Sequence, residues 1–329
     1  MRTRIVPGMA LRGGIDLGGT KIEAIVVDDE SRVLGSARRE TPRAGGPPDV
    51  VRELAAAIRD AAAATGVQPS ELAGVGIGSP GEVDGAAGTV ARAANLPGWS
   101  NGAFPLASAL GDELGTRVLL GNDVRVAVEA ERVLGAGRSH PSFLGVWWGT
   151  GIGGAVVLDG KLWLGRGSAG EIGHMVVRAD GAPCPCGRKG CLEAYAGRGA
   201  MERRARRAFA KGAKTNLFEL MRKQKRDRLT SGVWAAALVR GDALATRLID
   251  RAVWALGVGV GSAINLLDLE AVVIGGGLGT RFGVPGAERI AEAMQPHLFV
   301  SDRPPAVLVS ELDDGGGALG AALLVADTS

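Results

Sequence analysis

One stretch of this chain occurs twice. Gly13-Gly14-Ile15-Asp16 runs through Leu17-Gly18-Gly19-Thr20 into an apolar strand, Lys21 to Asp28; Phe143 to Trp148 runs through Gly149-Thr150-Gly151-Ile152-Gly153 into Gly154 to Leu158. Gly14-Ile15 aligns with Gly145-Val146, Gly18 with Gly149, Ala24 with Ala155 and Asp28 with Asp159, all at an offset of 131. After one deletion Leu34-Gly35 matches Leu164-Gly165. A strand-turn-strand-strand unit used twice constrains the chain to two α/β lobes of common design. Glycines at such turns let the backbone approach an anion and point amides at it, although either turn alone is equally an ordinary hairpin. Two of them, one per lobe, would grip a polyphosphate from opposite sides. Neither known phosphate motif fits the second turn. A strand follows the glycines where the dinucleotide fingerprint needs a helix, and the Gly-Lys-Ser/Thr of a P-loop is missing.

The second constraint is chemical. All three cysteines, Cys184, Cys186 and Cys191, lie within eight residues, and His174 stands ten positions before the first of them. Three thiolates and one imidazole complete a tetrahedral zinc set with no position left for water, so the metal is expected to be structural. Gly and Pro between the ligands suit a tight wrapping loop. The bland alternative is three unrelated buried thiols and a surface histidine. Glu171 and Glu193 bracket the set, and the metal is expected to pin one wall of a polar pocket.

Elsewhere the pattern reads as alternating strands and helices. Val50 to Thr65 reads as a helix and Leu72 to Gly78 as a strand running into the loop Gly78-Ser79-Pro80-Gly81-Glu82-Val83-Asp84. Asn95 to Asn101 is a polar loop carrying Trp99, a combination that suits a sugar face, although a lone tryptophan is more often packing. Val118 to Leu120 is a strand ending at Gly121-Asn122-Asp123, with a helix from Val124 to Leu134. Asn122 and Asp123 thus stand at a strand's C-terminal end, where open α/β sheets place ligands, and equally where a helix needs its N-cap. Ala196 to Arg240 reads as helical and basic, with arginines and lysines from Arg203 to Arg228 and a mobile loop at Met221 to Leu229. Ala252 to Leu267 is a buried helix, Glu270 to Ile274 a strand, Gly275-Gly276-Gly277-Leu278 a turn and Pro285 to Met294 a helix. After a strand at Ala306 to Val309, Gly315-Gly316-Gly317 leads into a terminal helix, Ala318 to Val325.

Composition narrows the partners. A net charge of +3 over 329 residues gives no argument for nucleic acid or membrane. The basic segment is nearly free of aromatics and reads as a solvated helix face. Met1 to Leu11 has no apolar core for a signal peptide, and the longest apolar run, 16 residues, is short for a membrane span. Clustered cysteines fit a reducing compartment, so a cytoplasmic location is expected.

Asp16-Leu17-Gly18-Gly19-Thr20-Lys21, Gly121-Asn122-Asp123, Gly149 to Gly154, Glu171-Ile172-Gly173-His174, the run from Cys184 to Glu193 and Ile274-Gly275-Gly276-Gly277 together resemble the ROK family (repressor, open reading frame, kinase), and within it the sugar kinases of the bacterial glucokinase type. The resemblance covers Gly14 to Ala322. It implies a duplicated actin-like ATPase fold, related to ribonuclease H, with a cleft between two lobes. The lobes are expected at residues 1–122, completed by a C-terminal helix 316–329, and 123–315, with a zinc loop 174–191.

The resemblance also implies the chemistry: phosphorylation of a hexose, glucose first, by ATP. Asp123 would be the catalytic base, and Asn122, Asp123, Glu171, His174, Glu193 and Gly81 would hold the sugar. Asp16, Gly18, Gly19, Thr20, Lys21, Gly149, Thr150, Gly151, Gly275, Gly276 and Gly277 would hold the nucleotide and its Mg²⁺. His174, Cys184, Cys186 and Cys191 would hold Zn²⁺, one ring nitrogen of His174 facing the metal and the other a sugar hydroxyl. A homodimer or homotetramer is expected. Trp147 and Trp148 stand where the family has a small polar residue and a leucine, and Arg125 where it usually has an asparagine, which leaves donor and substrate range open. Rival readings are a kinase for fructose, mannose or an N-acetylated hexosamine, polyphosphate as the donor, and a sugar-sensing repressor. The dozen residues before the first glycine hairpin are too few for a helix-turn-helix.

Overall fold

The computed structural model describes residues 10–93, 95–99, 102–312 and 315–326. Expectations for the N-terminal residues before 10, for Ser100 and Asn101, and for the chain beyond 326 lie outside the described residues.

The chain forms two compact units, one of Met1–Leu134 with Asp314–Ser329 and one of Gly135–Asp313. In the first, β1 (Arg12–Leu17), β2 (Lys21–Val27) and β3 (Val33–Glu40) form an antiparallel meander. Helix α1 (Pro47–Ala63) follows and packs on β2 and β3. β4 (Val75–Ser79) then pairs parallel to β1. A small hairpin of β5 (Glu82–Asp84) and β6 (Thr89–Ala91), then α2 (Leu106–Leu114), lead to β7 (Val118–Asn122), parallel to β4. Helix α3 (Asp123–Leu134) closes this stretch.

The second unit repeats the plan with β8 (Phe143–Trp148), β9 (Ile152–Leu158) and β10 (Lys161–Trp163). Helices α4 (Glu193–Ala196), α5 (Arg198–Ala210), α6 (Leu217–Lys223), α7 (Ser231–Val239) and α8 (Ala243–Leu267) precede β11 (Ala271–Gly275). Helix α9 (Gly276–Met294) and β12 (Ala306–Val309) complete it, and α10 (Gly316–Ala326) returns to the first unit. The two sheets have one topology: β3-β2-β1-β4-β7 and β10-β9-β8-β11-β12.

The duplication is therefore real in three dimensions, with one correction. Gly14 pairs with Ile25, but Gly145 pairs with Ala155, the counterpart of Ala24. The second turn is one residue shorter, so the offset of 131 read from the sequence does not carry across it. Leu164 also falls just past β10, whereas Leu34 lies inside β3.

The unit boundary follows Leu134, not residue 122. The reason is packing: α3 lies against α10 and β4, and Gly320 of α10 meets the Val126 carbonyl so closely that no Cβ would fit. Gly76 of β4 likewise lies directly under the Ala321 carbonyl of α10. These glycines let helix backbones touch, and α3 is thereby locked into the first unit.

Three other expectations change. Ala196 to Arg240 is not one helix but α5, α6 and α7, and α6 covers the start of the loop expected at Met221. Gly276 to Leu278 opens a helix instead of a turn; α9 starts there and is interrupted at Gly283, φ +56°, just before Pro285, which is why only its second half was legible. Trp99 is core, 2% exposed, its indole N–H donating to the Val90 carbonyl at 3.1 Å and its ring edge-on to Phe104. No helix among the described residues is long and apolar enough to cross a membrane. In the basic segment Arg206 pairs with Glu202 and Lys223 with Glu219, as expected for a solvated face.

Candidate active site and metal centre

In the first unit the sequence-predicted residues gather at the C-terminal ends of β1 and β7. Gly18 donates its amide to the Lys21 carbonyl at 2.9 Å, closing the first glycine turn and leaving Gly19 and Thr20 exposed at its tip. The buried Thr41 braces this turn from behind, its hydroxyl donating to the Gly18 carbonyl at 2.6 Å. Gly19 lies against Asn95, where a Cβ would come within 2.8 Å of the asparagine side chain. Lys21 turns its ammonium to Glu23 at 3.2 Å. Asp16 ends near α10, its carboxyl carbon 2.8 Å from where a Cβ on Gly317 would stand.

Asn122 and Asp123 occupy the junction of β7 and α3. The Asn122 Oδ1 accepts from the Val124 and Arg125 amides at 3.2 and 3.3 Å, so it is a helix N-cap. That bond spends the amide oxygen and leaves the NH₂ as the group available to a ligand. Asp123 Oδ1 accepts from Val124 at 2.9 Å. Gly78 and Gly121 make this placement possible, because a Cβ on either would stand 2.6 Å from a Val126 methyl. Gly81 sits at φ +94° with the Ala91 carbonyl 2.6 Å from a Cβ position, so backbone geometry alone requires glycine there.

In the second unit the four candidate metal ligands come together. The ligand atoms of His174, Cys184, Cys186 and Cys191 all lie within 4.8 Å of one another. Cys186 Sγ is 3.7 Å from Cys191 Sγ, and Cys184 Sγ is 3.9 Å from His174 Nδ1. Thiolates each about 2.3 Å from a tetrahedral zinc stand roughly 3.8 Å apart, so the sulfur spacing is that of a zinc edge and far too long for a disulfide. The loop is built for this: the Cys184 amide donates to the Arg188 carbonyl at 2.8 Å, Gly187 turns at φ +87°, and the Ala182 amide donates to the Tyr195 hydroxyl at 2.8 Å. Burial pushes the Cys184 thiol up to about 12, whereas the Arg188 amide and then its guanidinium bring Cys186 down to about 6. With Nδ1 turned to the sulfurs, His174 has Nε2 for a second partner. Glu171 is exposed at the start of the short 3₁₀ turn Ile172–His174 that carries the histidine.

Glu193 connects this loop to the second glycine turn. Its Oε2 accepts from the Ile152 amide at 2.9 Å and lies 2.2 Å from where a Cβ on Gly151 would stand, so a side chain there would displace the carboxylate. The turn itself closes through the Gly149 amide on the Gly151 carbonyl at 3.0 Å. Gly275 and Gly276 meet the tryptophan pair: a Cβ on Gly275 would stand 2.8 Å from the Trp147 indole, and one on Gly276 would stand 2.9 Å from the Trp148 backbone. Trp147 is half-buried on β8 facing Gly275 across the ladder. Sequence reading missed Arg198, which donates to the Thr150 hydroxyl at 2.7 Å. The signal was present, Gly197-Arg198-Gly199 just after Glu193, but it was absorbed into a long basic helix.

The ROK family model matches residues 12–328. This chain belongs to the ROK family. It is 36% identical over 318 residues to a glucokinase of Thermotoga maritima, covering 95% of this chain and 96% of that one. A ROK hexokinase from Thermus thermophilus superposes with a TM-score of 0.78 at 34% identity, covering 97% of this chain and 100% of that one. A ROK family glucokinase from Streptomyces griseus, crystallised with glucose and AMPPNP, superposes with a TM-score of 0.81 at 32% identity over the same shares. The fold is accordingly the actin-like ATPase fold of ROK kinases.

Proposed function

We propose that this chain transfers the terminal phosphoryl group of ATP to a hexose hydroxyl, with glucose as the sugar and glucose 6-phosphate as the product. The observation that carries the reading is the joint presence of two glycine turns on one duplicated sheet plan and of an aspartate, Asp123, at the strand end of the first unit. The names of relatives matched along 95% of the chain support it.

A sugar hydroxyl is a poor nucleophile, and Asp123 accepts its proton as the oxygen attacks phosphorus. The Asn122 NH₂, Glu171, His174 Nε2 and Glu193 orient the ring, with Gly81 beside the sugar. Phosphoryl transfer passes through a loose transition state, so most of the catalysis is positioning and charge stabilisation. The amides of the Gly18-Gly19-Thr20 and Gly149-Thr150-Gly151 turns meet phosphate oxygens; Gly275 and Gly276 make room for Trp147 and Trp148, and Gly277, whose Cβ position is uncrowded, leaves room beside them for the nucleoside. Lys21 stands beside the first turn with its charge opposed by Glu23.

Asp16 would be the carboxylate that holds the Mg²⁺ accompanying the nucleotide, and the ion would supply charge neutralisation at the phosphates. His174, Cys184, Cys186 and Cys191 would hold Zn²⁺, which would fix the tautomer and orientation of His174. Three thiols and one imidazole at zinc-edge spacing are the donor set that such a structural site requires. A cytoplasmic homodimer or homotetramer completes the reading.

The test is a panel of glucose, fructose, mannose, N-acetylglucosamine and N-acetylmannosamine against ATP and polyphosphate, reading product at the 6-position. Glucose with ATP is expected to give the highest kcat/KM. Turnover with no sugar would replace the enzyme with a sugar sensor.

A further inference from the structure

The second glycine turn carries a cation that the reading above does not use. Arg198 is the first residue of α5, and its backbone amide donates to the Gly149 carbonyl at 3.1 Å while the next amide, Gly199, donates to the Thr150 carbonyl at 3.0 Å. The start of the helix is thus bolted to the turn. The guanidinium folds back as well, Nη2 donating to Thr150 Oγ1 at 2.7 Å. That bond occupies an acceptor position of the hydroxyl and leaves its proton free to donate outward.

Two observations point to an anion here. The amides of Thr150 and Gly151, consecutive at the tip of the turn, have no acceptor among the described residues. Arg198 itself has no carboxylate within ion-pair distance among the described residues, whereas Arg206, two turns along α5, pairs with Glu202, and Lys21 at the other glycine turn pairs with Glu23. Burial draws the Arg198 guanidinium below its ordinary value, with Glu202 opposing this and Arg228 adding to it. A half-buried cation lacking a protein counter-ion is unfavourable until a ligand supplies one. A guanidinium fork with donors to spare, beside two free amides and a hydroxyl, matches phosphate oxygens.

We propose that Arg198 is a nucleotide-contacting residue, its fork held by Thr150 and turned to the β- and γ-phosphate oxygens of ATP. The proposal rests on the kinase reading, and the experiment separates the two. Binding of ATP, ADP, AMP, tripolyphosphate and glucose is measured by calorimetry on the wild-type chain and on Arg198→Ala, Arg198→Lys and Arg207→Ala. In Arg198→Ala, affinity for ATP, ADP and tripolyphosphate falls about 10- to 100-fold, the scale of a charged hydrogen bond. Affinities for AMP and glucose stay within about two-fold, since neither presents a β-phosphate. Arg198→Lys recovers part of the loss, a point charge replacing the fork, and Arg207→Ala, with the same charge change on the same helix, matches wild type.

ATP affinity unchanged in Arg198→Ala overturns the proposal. So does an equal loss for AMP and ATP, which marks a loosened turn. Arg198-dependent binding of tripolyphosphate without ATP binding by the wild type keeps the phosphate contact and overturns the nucleotide. A wild-type chain that binds neither overturns both readings.

Discussion

Glu193 Oε2 accepts the amide proton of Ile152 at 2.9 Å, and through this bond the end of the metal loop and the second glycine turn become one structure. Glu193 follows Cys191 by two residues, so its backbone is set by the loop that gathers the thiols, while its carboxylate sets the turn. A group assigned to the sugar also shapes the place assigned to phosphate. Glu193→Gln keeps an acceptor for Ile152, whereas Glu193→Ala removes it. Steady-state kinetics should show KM for glucose raised in both, and KM for ATP raised about 10-fold only in Glu193→Ala, with Glu193→Gln near wild type. Equal effects of both variants on ATP would break the link.

Asp123 is the first residue of α3, held over Gly78. Asp123→Asn retains size and hydrogen bonding but cannot take up a proton. Turnover is expected to drop ~10²-fold or more, the scale of general base catalysis, with glucose affinity within a few fold. Rapid-quench turnover together with glucose titration reads both; near-normal turnover removes the base assignment.

Cys186 is exposed, so Cys186→Ser removes a ligand without opening a core cavity. Metal analysis of the wild type should find one zinc per chain, and of the variant far less. KM for glucose should rise by about 10- to 100-fold through loss of His174 orientation, the range seen when outer-shell support of a site is removed. A zinc-free wild type with full activity would refute the metal centre.

Asp242 caps α8 and is 4% exposed. Its Oδ1 accepts from the Leu244 and Ala245 amides at 3.0 and 2.9 Å, and its Oδ2 takes the Thr215 hydroxyl and the Asn216 amide. Burial alone would raise its pKa, but the bonds from Ala245, Asn216, Thr215 and Leu244 together outweigh burial and hold it below the usual carboxylate range. A lowered folded pKa stabilises the protein above the unfolded value, near 3.9, and that stability is lost as pH falls through the folded value. Asp242→Ala should lower stability by about 1–3 kcal/mol at neutral pH. In chemical denaturation across pH, the gap to wild type should shrink below about pH 4. A gap that widens on acidification would contradict the sign.

Periodicity and punctuation made most of the fold legible. Apolar strands flanking glycine turns are local signals, and so are His174 and the three cysteines, whose spacing encodes a tight loop. The unit boundary was not legible, because α3 joins the first unit through contact with α10, almost two hundred residues later in the chain. The register of the second hairpin was missed for a related reason: one residue fewer in a glycine turn leaves no mark on composition, yet it changes which residues face each other across the ladder.

The sequence by itself determined the duplicated plan, the cluster of three cysteines and a histidine and the aspartate at a strand end, since each depends on residue type and short-range spacing. Only the tertiary structure decided that Glu193 reaches the Ile152 amide and that Arg198 returns to Thr150. Those pairings depend on where a side chain ends after the backbone has folded. Hydrogen-bond partners separated by up to dozens of residues in the chain are joined by geometry and not by any local pattern.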